Sequence, residues 1–243
     1  MIRVKHLRKL YDDCLAVQDV SLEIQSGTVC GLVGKNGAGK TSTLRCLAGL
    51  IPPTDGQIEM AGFCPQSDPV SVKRLVAYVP DDPPLFDDLT VGQHLDFIAQ
   101  LYGIRDHRCT AFALLERFEL TRKYDAMTNS LSRGMRQKLA IACAYLTQPR
   151  ILLLDEPLTG LDPPGIRCLL DSVRDFVRQG HVAIISSHLL AMIQDVCDEV
   201  CIMNEGSVHY HGPLKRLPEA FGTHTLEDAF FAATESMTPS AVG

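Results

Sequence analysis

A chain of 243 residues, 46% of them hydrophobic and 21% charged, has the size of one large globular domain or of one domain carrying an inserted lobe, with enough apolar surface for a substantial core. Its formal charge of −6 offers no basic footprint for a phosphodiester backbone, so a nucleic-acid partner is not expected. The opening residues alternate charge with single apolar positions, unlike a signal peptide, and the longest apolar run, eight residues at 139–146, falls far below the roughly 18 of a membrane span.

In chain order, residues 2–7 and 20–25 cluster Ile, Val and Leu between turn residues and predict strands. Between them stands Tyr11, by residue type more often an ordinary packing residue at a strand end than a ligand contact, though an aromatic upstream of a phosphate-binding loop is able to stack on adenine. Val29 to Val33 is a short β-prone run, and residues 34–42 then match G-x-x-x-x-G-K-[ST] in full, followed by helical spacing at Leu44, Leu47 and Ala48. Strand, loop and helix in that order predict a phosphate-binding loop. Gly34, Gly37 and Gly39, with Asn36 between, let backbone N–H groups turn toward phosphate oxygens; Lys40 supplies a point charge, Thr41 a hydroxyl for Mg²⁺, and Ser42 continues the helix start.

A turn at Pro52, Pro53 and Gly56 precedes an alternating strand at 57–61, and a further short strand at 76–79 stops at Pro80, with Asp81 and Asp82 following. From Thr90 the period changes: Thr90 and Gln93 form a capping box, and helices are expected to Gly103 and over 107–118. Residues 90–147 thus read as a helical insertion that ends in a helix capped by Ser132. The apolar run 151–154 ends in Asp155 and Glu156, and the run 182–186 ends beside His188; such runs predict parallel strands buried on both faces, with their ligands at the C-terminal ends. Between them Pro163 opens a helix reaching about Gln179. Residues 199–203 and 207–210 predict a hairpin, with His209 and His211 as exposed strand or turn residues, and a packing helix is expected from Thr225, with 238–243 disordered. Nine scattered cysteines, with Cys30, Cys46 and Cys143 on apolar faces, predict buried free thiols in a reducing cytosol and no metal cluster.

Taken together these motifs resemble the ATPase subunit of an ATP-binding cassette (ABC) transporter, over almost the whole chain. Leu131 to Met135 looks like the family signature, Leu152 to Glu156 like Walker B, Leu161 and Asp162 like the D-loop, and His188 like the switch histidine. The resemblance implies an α/β fold, with a P-loop three-layer core, an antiparallel β subdomain and an inserted α-helical subdomain, over residues 1–220, and a C-terminal helix and tail over 221–243. It implies ATP and Mg²⁺ as cofactors, Tyr11 stacked on adenine, Thr41, Asp155 and Asp81 at the metal, and Lys40, Glu156 and His188 in hydrolysis. Two cassettes would face head to tail, so that Ser132 and Gly134 of one complete the site of the other. A homodimer or a related second ATP-binding subunit, and a separate integral membrane permease, are the implied partners, with the chain cytoplasmic on the inner face of the membrane. Three residues depart from the family pattern: Asp81 stands where Gln is usual, and Arg133 and Met135 alter the signature. Bacterial exporters are the subgroup most similar. A soluble cassette acting on ribosomes or DNA is the competing reading, disfavoured by charge and by the single cassette; a small-molecule kinase would leave 132–135 and His188 unexplained.

Overall fold

In the computed structural model, which describes residues 1–235, nine strands among the described residues form one sheet in the order β4-β1-β2-β9-β8-β3-β7-β6-β5. The stretch 238–243 lies outside the described residues. The core strands β3 (Val29–Val33), β5 (Val76–Val79), β6 (Ile151–Leu154) and β7 (Val182–Ser187) run parallel, and β8 (Glu199–Asn204) joins β3 in parallel. At the other end β1 (Ile2–Tyr11), β2 (Cys14–Ile24) and β4 (Asp55–Met60) pair antiparallel, while β9 (Ser207–Pro213) returns antiparallel to β8.

The apolar runs of the core strands carry two covers because neighbouring side chains point to opposite faces. On β6, Leu152 and Leu154 enter one hydrophobic cluster and Ile151 and Leu153 the other; on β7, Ala183 and Ile185 alternate in the same way with Val182 and Ile184. The first cluster is closed by α3 (Val91–Leu101), α4 (Arg108–Arg117), α5 (Arg133–Leu146) and α6 (Pro163–Arg178). The second is closed by α1 (Lys40–Leu47), wedged between the parallel strands and the β1-β2-β4 layer. A Leu153→Ala change would leave a void in that second cluster, at a cost of about 2–5 kcal/mol.

The capping box at Thr90 is present: its hydroxyl accepts from Gln93 N and the Gln93 side chain accepts from Thr90 N. Ser132 caps α5 by accepting from Met135 N at 3.3 Å. Cys30, Cys46 and Cys143 are buried, as their apolar settings imply. Two short helices, α2 (Pro69–Leu75) and α7 (Leu190–Ile193), go beyond the elements expected from sequence, as does the turn from Leu214 into α8 (Leu217–Ala220). His209 and His211 differ from expectation. Both are half-buried: α9 (Leu226–Glu235) packs over the hairpin, His209 Nδ1 lies 2.8 Å from the Ala233 carbonyl, and His211 faces Glu199 at 3.6 Å.

Candidate active site

The loop between β3 and α1 has the geometry its glycines were expected to permit. Gly39 sits at φ 97°, and a β-carbon there would stand 2.5 Å from the Ala16 carbonyl, so this position needs both the left-handed backbone and the missing side chain. No side chain caps α1 and its first turn holds no acid, which leaves its N–H groups free for an anionic ligand. Lys40 is buried, and its ammonium donates back to the Gly34 carbonyl at 2.7 Å and the Lys35 carbonyl at 3.3 Å. That posture holds the charge over the loop. Asn36 and Gly37 are exposed at its tip, and Thr41 and Ser42 are half-buried at the start of α1.

The acids arrive through sheet register. Asp155 follows β6 immediately, its N–H donating to Val79 O on β5, and β7 on the other flank pairs Leu154 with Ile185. Ser186 therefore stands beside Asp155 and donates to its Oδ1 at 2.7 Å, while Tyr78 donates to Oδ2 at 3.1 Å. Burial, and next the Asp155 charge, push the Tyr78 hydroxyl up to about 12, so it remains a donor at neutral pH. Glu156 adopts a left-handed backbone, φ 46°, and its N–H donates to Ser186 Oγ. Its carboxylate spans two partners: Oε1 lies 3.3 Å from Lys40 Nζ, within ion-pair range but without hydrogen-bond alignment, and Oε2 lies 2.9 Å from His188 Nδ1.

Lys40, Asp155, Glu156 and His188 are thus brought together. Tyr11 lies at the end of the β1–β2 hairpin, whose Ala16 passes against Gly39; its ring is partly exposed and carries Lys9 Nζ 4.8 Å from the ring centre. Ser132 and Gly134 stand elsewhere. They line a separate cavity with Glu119, Lys138, Gly160 and Asp162, which holds no residue of 34–42. The Asp81 carboxylate is engaged by Arg133, Oδ1 accepting from Nη2 at 2.8 Å. Ser186 and Tyr78, which orient Asp155, are not marked by any sequence motif; the signal available was a hydroxyl within or just after each apolar run. Leu85 is half-buried against the core, whereas Phe86 is exposed and packs edge-on against Phe97 at 5.3 Å.

A strand, glycine loop and helix with a buried lysine, set beside a strand ending in two acids, define a P-loop nucleoside triphosphatase. Residues 17–159, more than half of the chain, match the ABC transporter family. The transporter ATP-binding protein EcsA of Bacillus subtilis is 33% identical over 97% of both chains. The Nod factor export ATP-binding protein I of Burkholderia pseudomallei is 34% identical over 90% of this chain and 73% of its own. Among solved structures, an ATP-binding subunit of an ABC transporter superposes with a TM-score of 0.90 at 32% identity, covering 96% of this chain and 99% of that one. A dimeric cassette in a post-hydrolysis state with ADP and Pi shares the fold, with a TM-score of 0.80 at 22% identity, over 88% of this chain and 98% of its own. The chain belongs to the ABC transporter family. It is an ATP-binding subunit of that family, an ATPase by class.

Proposed function

We propose that this subunit drives export: two copies close on ATP, and a separate membrane-spanning polypeptide turns the closure into transport. The observation that carries the reading is the separation of Ser132 and Gly134 from the phosphate loop of their own chain, with Ser132 exposed at the start of α5 and Asn36 and Gly37 exposed at the tip of the loop. A second copy placed head to tail would bring the N-terminus of α5 against the γ-phosphate held by Lys40, completing a site that neither copy holds alone. One relative, the Nod factor export ATP-binding protein I, is an export protein by name, which supports the direction.

In the reaction Lys40 faces the β- and γ-phosphates, and Glu156, oriented by His188, accepts the proton of the attacking water as the bond from the γ-phosphorus to the bridging oxygen breaks and ADP leaves. Residues present fit Mg²⁺: a buried carboxylate at Asp155 and a hydroxyl at Thr41 are hard oxygen donors, and among the described residues no three His, Cys, Asp or Glu converge to cage a metal, as suits an ion held largely by phosphates. The ion, when bound, neutralises charge developing on the phosphates. Asp81 gives Oδ1 to Arg133, so it would enter that set through its other oxygen.

The membrane side is assigned to an apolar cavity of about 340 Å³ bordered by Pro84, Leu85, Phe86, Phe97, Ile98 and Tyr102. Its exposed rings suit a short apolar segment of the membrane polypeptide, which would hold the subunit at the inner face of the membrane. Because Leu85 packs inward, the test falls on Phe86 alone. Phe86→Asp should keep the far-ultraviolet circular dichroism and ATP affinity of the parent yet lose co-purification with membranes; co-purification at the parental level would overturn the docking assignment.

A further inference from the structure

Asp81 and Arg133 depart from the family pattern 52 positions apart, and the fold joins them: Arg133 Nη2 donates to Asp81 Oδ1 at 2.8 Å. Asp81 lies two residues beyond Val79, whose carbonyl accepts from Asp155 N, so one end of this ion pair hangs directly from the strand ends that hold the catalytic acids. The other end is the first residue of α5, next to Ser132. The stem of Arg133 also lies over Gly160, where a β-carbon would stand 3.2 Å from Arg133 Cδ, and Gly134 packs so close to the Gly160 carbonyl that a β-carbon there would be 2.4 Å away. Gly160 is four residues past Glu156, in a turn where Thr159 N bonds the Glu156 carbonyl. Arg133 is therefore bracketed by two loops, one leaving β5 beside Asp155 and the other following Glu156. Two neighbours reinforce the first: Arg136 Nη1 lies 3.0 Å from Asp87 Oδ1, and Gln137 Nε2 donates to the Pro80 carbonyl at 3.4 Å.

We propose that Arg133, through Asp81, is a positioning residue that sets where Ser132 and Gly134 stand relative to the catalytic acids of the same chain. The inference rests on the reading above that Ser132 and Gly134 act on the γ-phosphate of a second copy. An ion pair with both partners about half exposed adds little to stability and is screened by salt, so its effect belongs to geometry, not to folding. In this arrangement a move of the 80–87 loop is carried to the phosphate-facing turn of α5 through a charge pair, and neutralising either partner lets that turn drift.

The test compares four full-length chains: parent, Arg133→Ala, Asp81→Ala, and the charge exchange Asp81→Arg with Arg133→Asp. Amide hydrogen exchange over residues 132–136 is measured without nucleotide, at low and at high salt. We expect about threefold to tenfold faster exchange in each single variant, near-parental exchange in the charge-exchanged chain, and a parental rate that approaches the single variants at high salt. Equal rates in all four chains, or a charge-exchanged chain no slower than the single variants, would overturn the proposal. ATP-driven self-association is then read in the same chains carrying Glu156→Gln: weakening in both single variants with recovery in the exchange supports the role in positioning Ser132, and parental association in all four overturns that role. A parent that fails to associate contradicts the two-copy reading, and with it the role at a second copy's phosphate, while the exchange rates still decide whether the pair holds the turn.

Discussion

At the level of single residues, Glu156 is held by both Lys40 and His188, so one carboxylate links the buried ammonium beside the loop to the histidine that orients it. Removing that carboxylate while keeping its shape separates binding from chemistry. Glu156→Gln should bind ATP as the parent does and lower kcat by at least about 10²-fold, the usual range for a general base, as read by steady-state phosphate release. Lys40→Ala should weaken ATP binding instead, since a buried charge facing the phosphates is lost; about 1.5–3 kcal/mol, the worth of hydrogen bonds to charged groups, corresponds to roughly tenfold or more in Kd by direct titration. Tyr11 is the gentler case. Tyr11→Ala should cost about 1 kcal/mol of ATP affinity and Tyr11→Phe almost nothing, and equal losses would point to its hydroxyl rather than its ring.

Among the elements, α3 and the 80–87 loop are joined by His94, a residue the sequence pattern marked only as part of a helix. It is 3% exposed; its Nε2 accepts from Phe86 N at 2.9 Å, and its Nδ1 faces the Thr90 carbonyl at 3.2 Å, so the neutral ring is the fitted form. Burial lowers its pKa from 6.5, partly countered by the Thr90 carbonyl and furthered by Arg136. The unfolded chain then binds this proton first as the medium is acidified. The stabilisation is whole above about pH 6.5 and is lost as pH falls toward the lowered folded value. Melting temperatures measured from pH 7.5 to 5 should fall less steeply in His94→Gln than in the parent; parallel curves would remove His94 from this role. Legibility varied with pattern at this scale. The strands at 151–154 and 182–186 could be read because burial on both faces leaves an unbroken apolar run, whereas β1 runs on to Tyr11 through exposed Leu10, with no alternation to reveal it. Helix α2 escaped because seven residues bury only Val72, although Asp68 caps it and Pro69 opens it. Ser186, Tyr78 and the Asp81–Arg133 pair escaped for another reason: their partners are set by strand register and helix packing, which a linear pattern does not carry.

For the whole molecule, the phosphate site we propose falls in one chain into two parts that do not meet: Lys40, Asp155, Glu156 and His188 in one place, and the N-terminus of α5 with Ser132 and Gly134 in another. In the proposed cycle, closure of two copies would join them, and hydrolysis would undo the joint by removing the γ-phosphate between them. The mass of the Glu156→Gln chain in sedimentation velocity, at saturating ATP and Mg²⁺, tests this most directly. The predicted result is a doubled mass with ATP and a single one with ADP, the doubling being abolished by adding Ser132→Arg to a chain that still binds ATP. A chain that stays at single mass with ATP bound, or that doubles as readily with Ser132→Arg, would contradict it.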